Sequence, residues 1–151
     1  MLQCIRPFVH LSVRPLRAWK ACLMARILFI EPDRILGANA KRIMKRAGHG
    51  VQWHVDLQAA IDSADAVRPD IIILDLLLAG RSGIEFLYEF RSYPEWTKVP
   101  VVIYSNVRSE EFNADYVGFN QLNITAYHYK PATTIAGLLK TVDSILQPVQ
   151  Q

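Results

Sequence analysis

Four polar side chains that could carry phosphoryl chemistry each stand at the end of a short apolar run. Glu31 follows "RILFI", Asp75 follows "IIIL", Ser105 ends "VVIYS" and Lys130 follows "TAYHY". A carboxylate can attack phosphorus and hold it as an acyl phosphate, while an ammonium group and a hydroxyl group can bind the phosphoryl oxygens. The set therefore predicts phosphoryl transfer to a carboxylate, provided that the fold brings these side chains together.

The runs that carry these residues alternate with helical patterns, which indicates the fold class. β-rich runs occupy residues 26–30, 51–55, 71–75, 101–105 and 125–129, and helical patterns occupy 34–47, 57–67, 83–93, 108–117 and 133–146. Such alternation predicts an α/β domain with a parallel sheet. Because ligands bind beyond the carboxyl ends of the strands in sheets of this kind, all four polar side chains are expected at one edge.

Individual residues predict where the helices begin and end. Asp33 and Asp56 are suited to cap the first two helices, and Gly48 is a typical signal just after a helix C-terminus. Pro94 is expected to end the third helix. Pro131 is expected near the first turn of the last helix, where a missing N–H group costs nothing.

Composition limits the class of protein. The 151 residues suffice for one domain with a core, and the net charge is +3. Residues 1–24 carry four basic residues and no acid, so the remainder has 13 basic against 14 acidic residues. A near-neutral body of this kind is not expected to bind nucleic acid through its overall field, and no apolar run is long enough to span a membrane.

The N-terminal stretch reads differently from the rest of the chain. We predict a basic extension over 1–24, a domain over 25–147 and a short tail over 148–151. The extension has no uninterrupted apolar centre of the kind a secretory signal needs; initiation at Met24 is favoured over an organelle presequence. The body has no cysteine, which fits a reducing compartment, and a cytoplasmic location is expected.

Over residues 25–147 the chain resembles the response-regulator receiver domain of two-component signalling. The resemblance rests on "ILFIEPD", "IIILDLLLAGRSGIEF", "VPVVIYSN" and "AYHYKP". It implies a flavodoxin-like three-layer α/β/α sandwich with a five-stranded parallel sheet in the order 2-1-3-4-5. It also implies that Asp75 is the phosphoacceptor, that Ser105 and Lys130 assist it, and that Tyr127 is an aromatic switch. The family's peptide bond before the residue matching Pro131 is usually cis.

The resemblance also implies a Mg²⁺ requirement, with one departure. The family places two adjacent acids after the first strand, the second being a direct metal ligand, whereas this chain has Glu31 followed by Pro32. The implied ligands are then Asp75, the backbone carbonyl of Leu77, and Glu31 acting through water or by reaching inward. Asp33 is assigned to the helix cap instead, so a weakened Mg²⁺ site is expected.

The implied function is that of a single-domain response regulator and not of an enzyme. A histidine kinase or phosphotransfer protein would deliver the phosphoryl group to Asp75, which is expected in an open cleft. The new charge would draw Ser105 inward, turn Tyr127, and reshape the surface of the fourth helix, fifth strand and fifth helix for a downstream protein partner.

Two other functions remain open from the sequence. A pseudo-receiver would act as an interaction module without phosphorylation, and Pro32 and Asn106, which could narrow access to the phosphoacceptor, favour it. A flavodoxin-like enzyme or cofactor carrier would need a phosphate-binding loop after the first strand, where Glu31 and Asp33 would repel phosphate. No direct contact with nucleic acid or membrane is expected under either of the receiver hypotheses.

Overall fold

The computed structural model describes residues 24–115 and 122–147. The strands are β1 (Arg26–Ile30), β2 (Gly50–His54), β3 (Ile71–Leu74), β4 (Val101–Ser105) and β5 (Ile124–Tyr129). The helices are α1 (Arg34–Arg46), α2 (Leu57–Ala66), α3 (Gly83–Ser92), α4 (Ser109–Asp115) and α5 (Ile135–Leu146). The predicted alternation of strands and helices is therefore confirmed.

The five main strands form one parallel sheet in the order β2–β1–β3–β4–β5. One face of the sheet packs against α2, α3 and α4, and the other packs against α1 and α5. β3 lies in the middle, and all four of its side chains are buried, as expected of a strand covered on both faces. The predicted three-layer sandwich and its strand order are confirmed.

The helix-end signals act as their chemistry predicts. The Asp33 carboxylate accepts hydrogen bonds from the backbone N–H groups of Ile35 and Leu36, at 2.9 Å each, and Asp56 accepts one from Ala59 at 2.9 Å. Gly48 follows α1 with φ +101°, a conformation that a side chain would strain. Asp33, two residues after Glu31, fixes where α1 starts, while Gly48 follows the end of α1 and Asp56 fixes the start of α2.

Three local features differ from the sequence-based expectations. Pro131 lies in a separate 3₁₀ turn, Lys130–Ala132, and α5 begins only after Thr134, whose hydroxyl accepts a hydrogen bond from Gly137 N. No peptide bond among the described residues is cis, so the bond before Pro131 is trans; a trans bond is the preferred form even for proline. The segment after Asp75 forms a small hairpin in which Leu77–Leu78 pairs with Arg81–Ser82.

Candidate functional site

The four predicted site residues meet at the carboxyl edge of the sheet. Glu31 follows β1, Asp75 follows β3, Ser105 ends β4 and Lys130 follows β5. Because β1, β3, β4 and β5 are consecutive neighbours in the sheet, their ends converge on one cleft of about 450 Å³. The cleft is lined by Glu31, Pro32, Asp33, Leu36, Asp75, Leu77, Tyr104, Asn106, Lys130 and Pro131.

The Asp75 carboxylate is held by three donors. Its Oδ1 accepts hydrogen bonds from the Ser105 hydroxyl at 2.7 Å and from the backbone N–H of Leu77 at 3.0 Å. Its Oδ2 accepts one from the Lys130 ammonium group at 2.5 Å. A hydroxyl and an ammonium group therefore contact the same carboxylate from two other strands, which is the arrangement that phosphoryl transfer to Asp75 would require.

Lys130 bridges two acids. Its Nζ lies 2.5 Å from Asp75 Oδ2 and 2.6 Å from Glu31 Oε2. Burial lowers the pKa of Lys130, but the contacts with the two carboxylates outweigh that effect and the pKa is raised overall. The lysine is thus held in its charged form between the two acids.

Glu31 is completely buried. Its Oε1 accepts a hydrogen bond from the backbone N–H of Asp33 at 3.0 Å, whereas Oε2 has only the ion pair with Lys130 and no hydrogen bond of good geometry. Burial raises the pKa of Glu31, and the contacts with Lys130 and Asp33 offset this only in part. The side chain therefore reaches inward, and its second oxygen faces a cation.

Asp75 is less open than the sequence suggested. Only 3% of the residue is exposed, because Ser105 and Lys130 pack directly onto its two oxygens and the Leu77 backbone closes a third side. The expected cleft is present and Asp75 lines it, but the carboxylate is covered by its own hydrogen-bond donors. Lys130 lines the same cleft, where its ammonium group lies between the Asp75 and Glu31 carboxylates.

A close backbone approach explains the glycine that follows the hairpin. A Cβ atom at Gly83 would lie 2.6 Å from the carbonyl oxygen of Asp75 and 2.9 Å from the Cα of Leu76. Only a residue without a side chain lets α3 start this near to the end of β3. The N–H of Gly83 also donates to the carbonyl of Leu76 at 3.0 Å, which fixes the strand end that carries Asp75.

Trp53 supports the Glu31 loop, a role that the sequence did not reveal. Its indole N–H donates to the backbone carbonyl of Glu31 at 3.0 Å. Its ring lies against Gly37 of α1, where any Cβ atom would overlap the indole. A single tryptophan on a predicted strand does not indicate such a contact in the sequence. The absence of a side chain at Gly37 is consistent with the close packing of the indole against α1.

Two tyrosines flank the site. The ring of Tyr104 lies 5.5 Å from the Lys130 ammonium group, within cation–π range, and sequence analysis did not identify this contact. The Tyr127 hydroxyl donates to the carbonyl of Val107 at 2.7 Å, in the loop that follows Ser105. Burial, reinforced by the charge of Asp75, raises the pKa of Tyr127 to about 12, so its hydroxyl stays protonated.

The donor set is compatible with Mg²⁺ and smaller than the family pattern. Glu31 Oε2 and Asp75 Oδ2 are hard carboxylate oxygens on either side of one ammonium group, and Leu77 lines the same cleft. Mg²⁺ commonly binds through one or two carboxylates and keeps several waters. No group of three or more acidic, histidine or cysteine side chains converges within residues 24–115 and 122–147, and Asp33 serves as a helix cap.

Some predicted features fall partly or wholly outside the described residues. The side chains of 113–115 and all of 116–121 are among them, so part of the surface formed by α4, β5 and α5 lies outside the described residues. The N-terminal extension to residue 23 and the tail from 148 also lie outside. Among the helices that are described, none combines the length and apolar character needed to traverse a bilayer.

Comparisons with known proteins agree with the fold. The family model of the response regulator receiver domain matches residues 27–141. Chemotaxis protein CheY4 of Vibrio cholerae superposes with a TM-score of 0.72 at 23% identity, covering 81% of this chain and 98% of CheY4. At that identity, the superposition establishes the fold alone.

Curated relatives point to the same family. Protein PilH of Pseudomonas aeruginosa is 24% identical over 82% of this chain and 98% of its own length. The KDP operon transcriptional regulatory protein KdpE of Escherichia coli is 34% identical over 58% of this chain, an alignment that spans 37% of the length of KdpE. Protein Rrf1 of Nitratidesulfovibrio vulgaris is 32% identical over 52% of this chain, and the alignment spans 57% of the length of Rrf1. By the family match over most of its length, the chain belongs to the response regulator receiver domain family.

Proposed function

We propose that the protein accepts a phosphoryl group on Asp75 and signals through the resulting change of its surface. The observation that carries the proposal is the pair of short contacts to one carboxylate, from the Ser105 hydroxyl at 2.7 Å and from the Lys130 ammonium group at 2.5 Å. These are the two groups that would bind the oxygens of a phosphoryl group attached there.

The proposed reaction is a transfer between two side chains. A carboxylate oxygen of Asp75 attacks the phosphorus of a phosphohistidine on a histidine kinase or phosphotransfer protein. The new bond is P–O, the broken bond is P–N, and the imidazole leaves with the electron pair. The ammonium of Lys130 and the hydroxyl of Ser105 then move their hydrogen bonds from the carboxylate to the phosphoryl oxygens, which keeps both donors paired.

Glu31, Asp75 and the backbone carbonyl of Leu77 would hold a Mg²⁺ ion in this reaction. When bound, the ion supplies neutralisation of the charge on the phosphoryl oxygens. Because Pro32 offers no carboxylate, we expect weaker metal binding than in a domain with two adjacent acids. Lys130 must leave its position between Glu31 and Asp75 before a cation can contact both.

The output would pass through the loop after β4. Ser105 ends β4, Val107 lies two residues further, and the Tyr127 hydroxyl donates to the Val107 carbonyl. Movement of Ser105 toward a phosphoryl group would shift this loop, break or lengthen that hydrogen bond, and free Tyr127 to turn inward. The resulting change in α4, β5 and α5 would be read by a downstream protein partner in the cytoplasm.

Acetyl phosphate provides a direct test. Incubation of the purified protein with acetyl phosphate and millimolar Mg²⁺ should add one phosphoryl group, detected by intact mass, and Asp75→Asn should abolish the addition. Asp33→Asn is the matched control, since Asp33 lines the same cleft but caps α1; it should still be labelled. Absence of labelling in the unmodified protein, or equal labelling of Asp75→Asn, would reject the proposal.

A pseudo-receiver is the second candidate, and Pro32 together with the closed Lys130 bridge favours it. In that case the Glu31–Lys130–Asp75 cluster is a permanent structural element and no phosphoryl group is accepted. The two functions differ in two readouts: a pseudo-receiver would bind its partner equally well before and after Asp75→Asn, and it would show no Mg²⁺ affinity.

A further inference from the structure

A basic groove lies between α1 and the edge strand β2. The groove has a volume of about 600 Å³ and is lined by Ala38, Lys41, Arg42, Lys45, Arg46 and Trp53. Arg42, Lys45 and Arg46 are exposed, while Lys41 and Trp53 are half-buried. It shares no lining residue with the cleft above Asp75, so it is a separate surface of the molecule.

The charges of the basic groove are uncompensated. α1 contains no acidic residue, and within the described residues no carboxylate lies within ion-pair distance of the four cations. Lys41 and Lys45, and likewise Arg42 and Arg46, are like charges one helical turn apart, a spacing that destabilises a helix. A negatively charged partner would relieve this repulsion between the four cations. The groove is therefore complementary in charge to an acidic ligand.

The shape of the groove favours a protein over a nucleic acid as that occupant. Its lining combines Ala38 and Trp53 with lysine and arginine side chains, whose aliphatic stems, like the indole, suit an apolar side chain. The cations come from two turns of one helix, and the body of the chain has 13 basic against 14 acidic residues. Nucleic-acid binding usually needs a broader basic face.

Trp53 connects the basic groove to the candidate site. Its ring lines the groove, while its indole N–H donates to the Glu31 carbonyl at 3.0 Å and its ring fits against Gly37. A residue seated against the indole would therefore press on the group that holds the Glu31 loop. Binding in the groove and the state of the acidic cleft would influence each other through this one side chain.

We infer that the basic groove of α1 is a docking site for an acidic segment of a partner protein, with an apolar residue of that segment packed against Trp53. The inference goes beyond phosphoryl transfer and does not require it. Carboxylates of the segment would pair with the exposed Arg42, Lys45 and Arg46, while Lys41 and the indole, which are half-buried, also line the groove.

The test uses the full chain without Mg²⁺ or phosphoryl donor, so that its result is independent of Asp75 labelling. The probe is a synthetic dye-labelled peptide in which pairs of glutamates alternate with single leucines. The protein is titrated into the peptide, and binding is followed by the fluorescence anisotropy of the dye. We expect saturable binding and a change in tryptophan emission. Trp53→Phe should retain binding but lose the emission change, because Trp53 lines the groove and Trp96 does not.

The decisive variant is Arg42→Glu with Lys45→Glu. Each new acid would face a remaining cation, Arg46 or Lys41, one turn away, so the helix should be retained. Peptide affinity should fall at least about tenfold. Arg68→Glu with Lys98→Glu is the matched control, because it changes the net charge equally at exposed residues outside the groove; its affinity should stay within about twofold.

Four outcomes would overturn the inference. They are absence of peptide binding up to about 1 mM, equal losses in the two double variants, binding without a change in Trp53 emission, and tighter binding of a single-stranded oligonucleotide or of anionic lipid vesicles than of the peptide through the same residues. The last result would assign the groove to nucleic acid or membrane instead of a protein partner.

Discussion

Asp75 and Glu31 end neighbouring strands of the sheet and contact the same ammonium group, yet they are held differently. Both oxygens of Asp75 receive hydrogen bonds, including one from a hydroxyl. Glu31 is more deeply buried, and its Oε2 has nothing but the ion pair with Lys130. The donors around Asp75 could follow a phosphoryl group, whereas Glu31 can only face a cation, so the two acids suit different roles.

The largest effect should come from removing the shared cation. Lys130→Met leaves two buried carboxylates facing each other without a counter-ion, and breaking a buried pair in this way costs about 3–5 kcal/mol. Urea unfolding should show this loss in the free energy of unfolding, while Lys140→Met, at an exposed position of α5, should change little. Equal stability of the two variants would mean that the acids are not charged in the folded state.

A second acid beside Glu31 should strengthen Mg²⁺ binding. Pro32→Asp adds a carboxylate beside Glu31, and we expect the Mg²⁺ dissociation constant to fall about tenfold or more. Isothermal titration calorimetry would measure it, with Pro32→Ala as the control that removes the ring without adding a ligand. If Pro32→Ala tightened binding as much, loop stiffness and not a missing ligand would be what limits Mg²⁺ binding.

The acceptor side can be examined through the lifetime of the acyl phosphate. Leu77 is 56% exposed at the cleft and Val107 lies two residues beyond Ser105. Two apolar side chains there should hinder an attacking water. The half-life of the labelled protein should therefore shorten several-fold when Leu77→Asn and Val107→Glu are combined. An unchanged half-life would show that these side chains do not guard the phosphoryl group.

The smallest expected effect is on the pH dependence of stability. Burial raises the pKa of Glu31, so the folded state binds more protons than the unfolded state above the usual glutamate pKa, and the free energy of unfolding falls as pH rises through that window. Glu31→Gln should remove this fall.

Asp70 offers the opposite case, because its hydrogen bonds with Arg26 lower its pKa. The free energy of unfolding therefore rises with pH below the usual aspartate pKa. Asp70→Asn should remove that rise.

Urea unfolding between about pH 2 and pH 7 would separate the two slopes. If Glu31→Gln and Asp70→Asn altered the slope in the same direction, the assignment of Glu31 as an acid with a raised pKa would be wrong.

The sequence predicted the alternation of strands and helices and the meeting of the four site residues because each depends on a local signal, whereas the strand order was implied by the resemblance to the receiver family. Strand periodicity, turn residues and a polar side chain directly after an apolar run are all local in sequence. Asp33 could be assigned to the cap for the same reason. The one-residue shift of β2 to Gly50–His54 reflects pairing with β1, where Arg26 lies opposite Gly50, and not any local pattern.

What the sequence could not predict depends on contacts between distant segments. The burial of Asp75 follows from Lys130 packing across from β5, 55 residues along the chain. The support of the Glu31 loop by Trp53 and the position of Tyr104 beside Lys130 are likewise tertiary contacts. The hairpin after Asp75 contains no strand-length run and is too short to show periodicity.

The central claim is that Lys130 and Ser105 can transfer their contacts from Asp75 to a group attached to it. Titration of Mg²⁺ with and without beryllofluoride, an acyl-phosphate mimic, tests this most directly when followed by backbone amide NMR. We predict that beryllofluoride tightens Mg²⁺ binding and shifts the amide resonances of Ser105, Val107 and Tyr127, and that Asp75→Asn abolishes both effects. Identical Mg²⁺ titrations and unchanged resonances with and without the mimic would contradict the account.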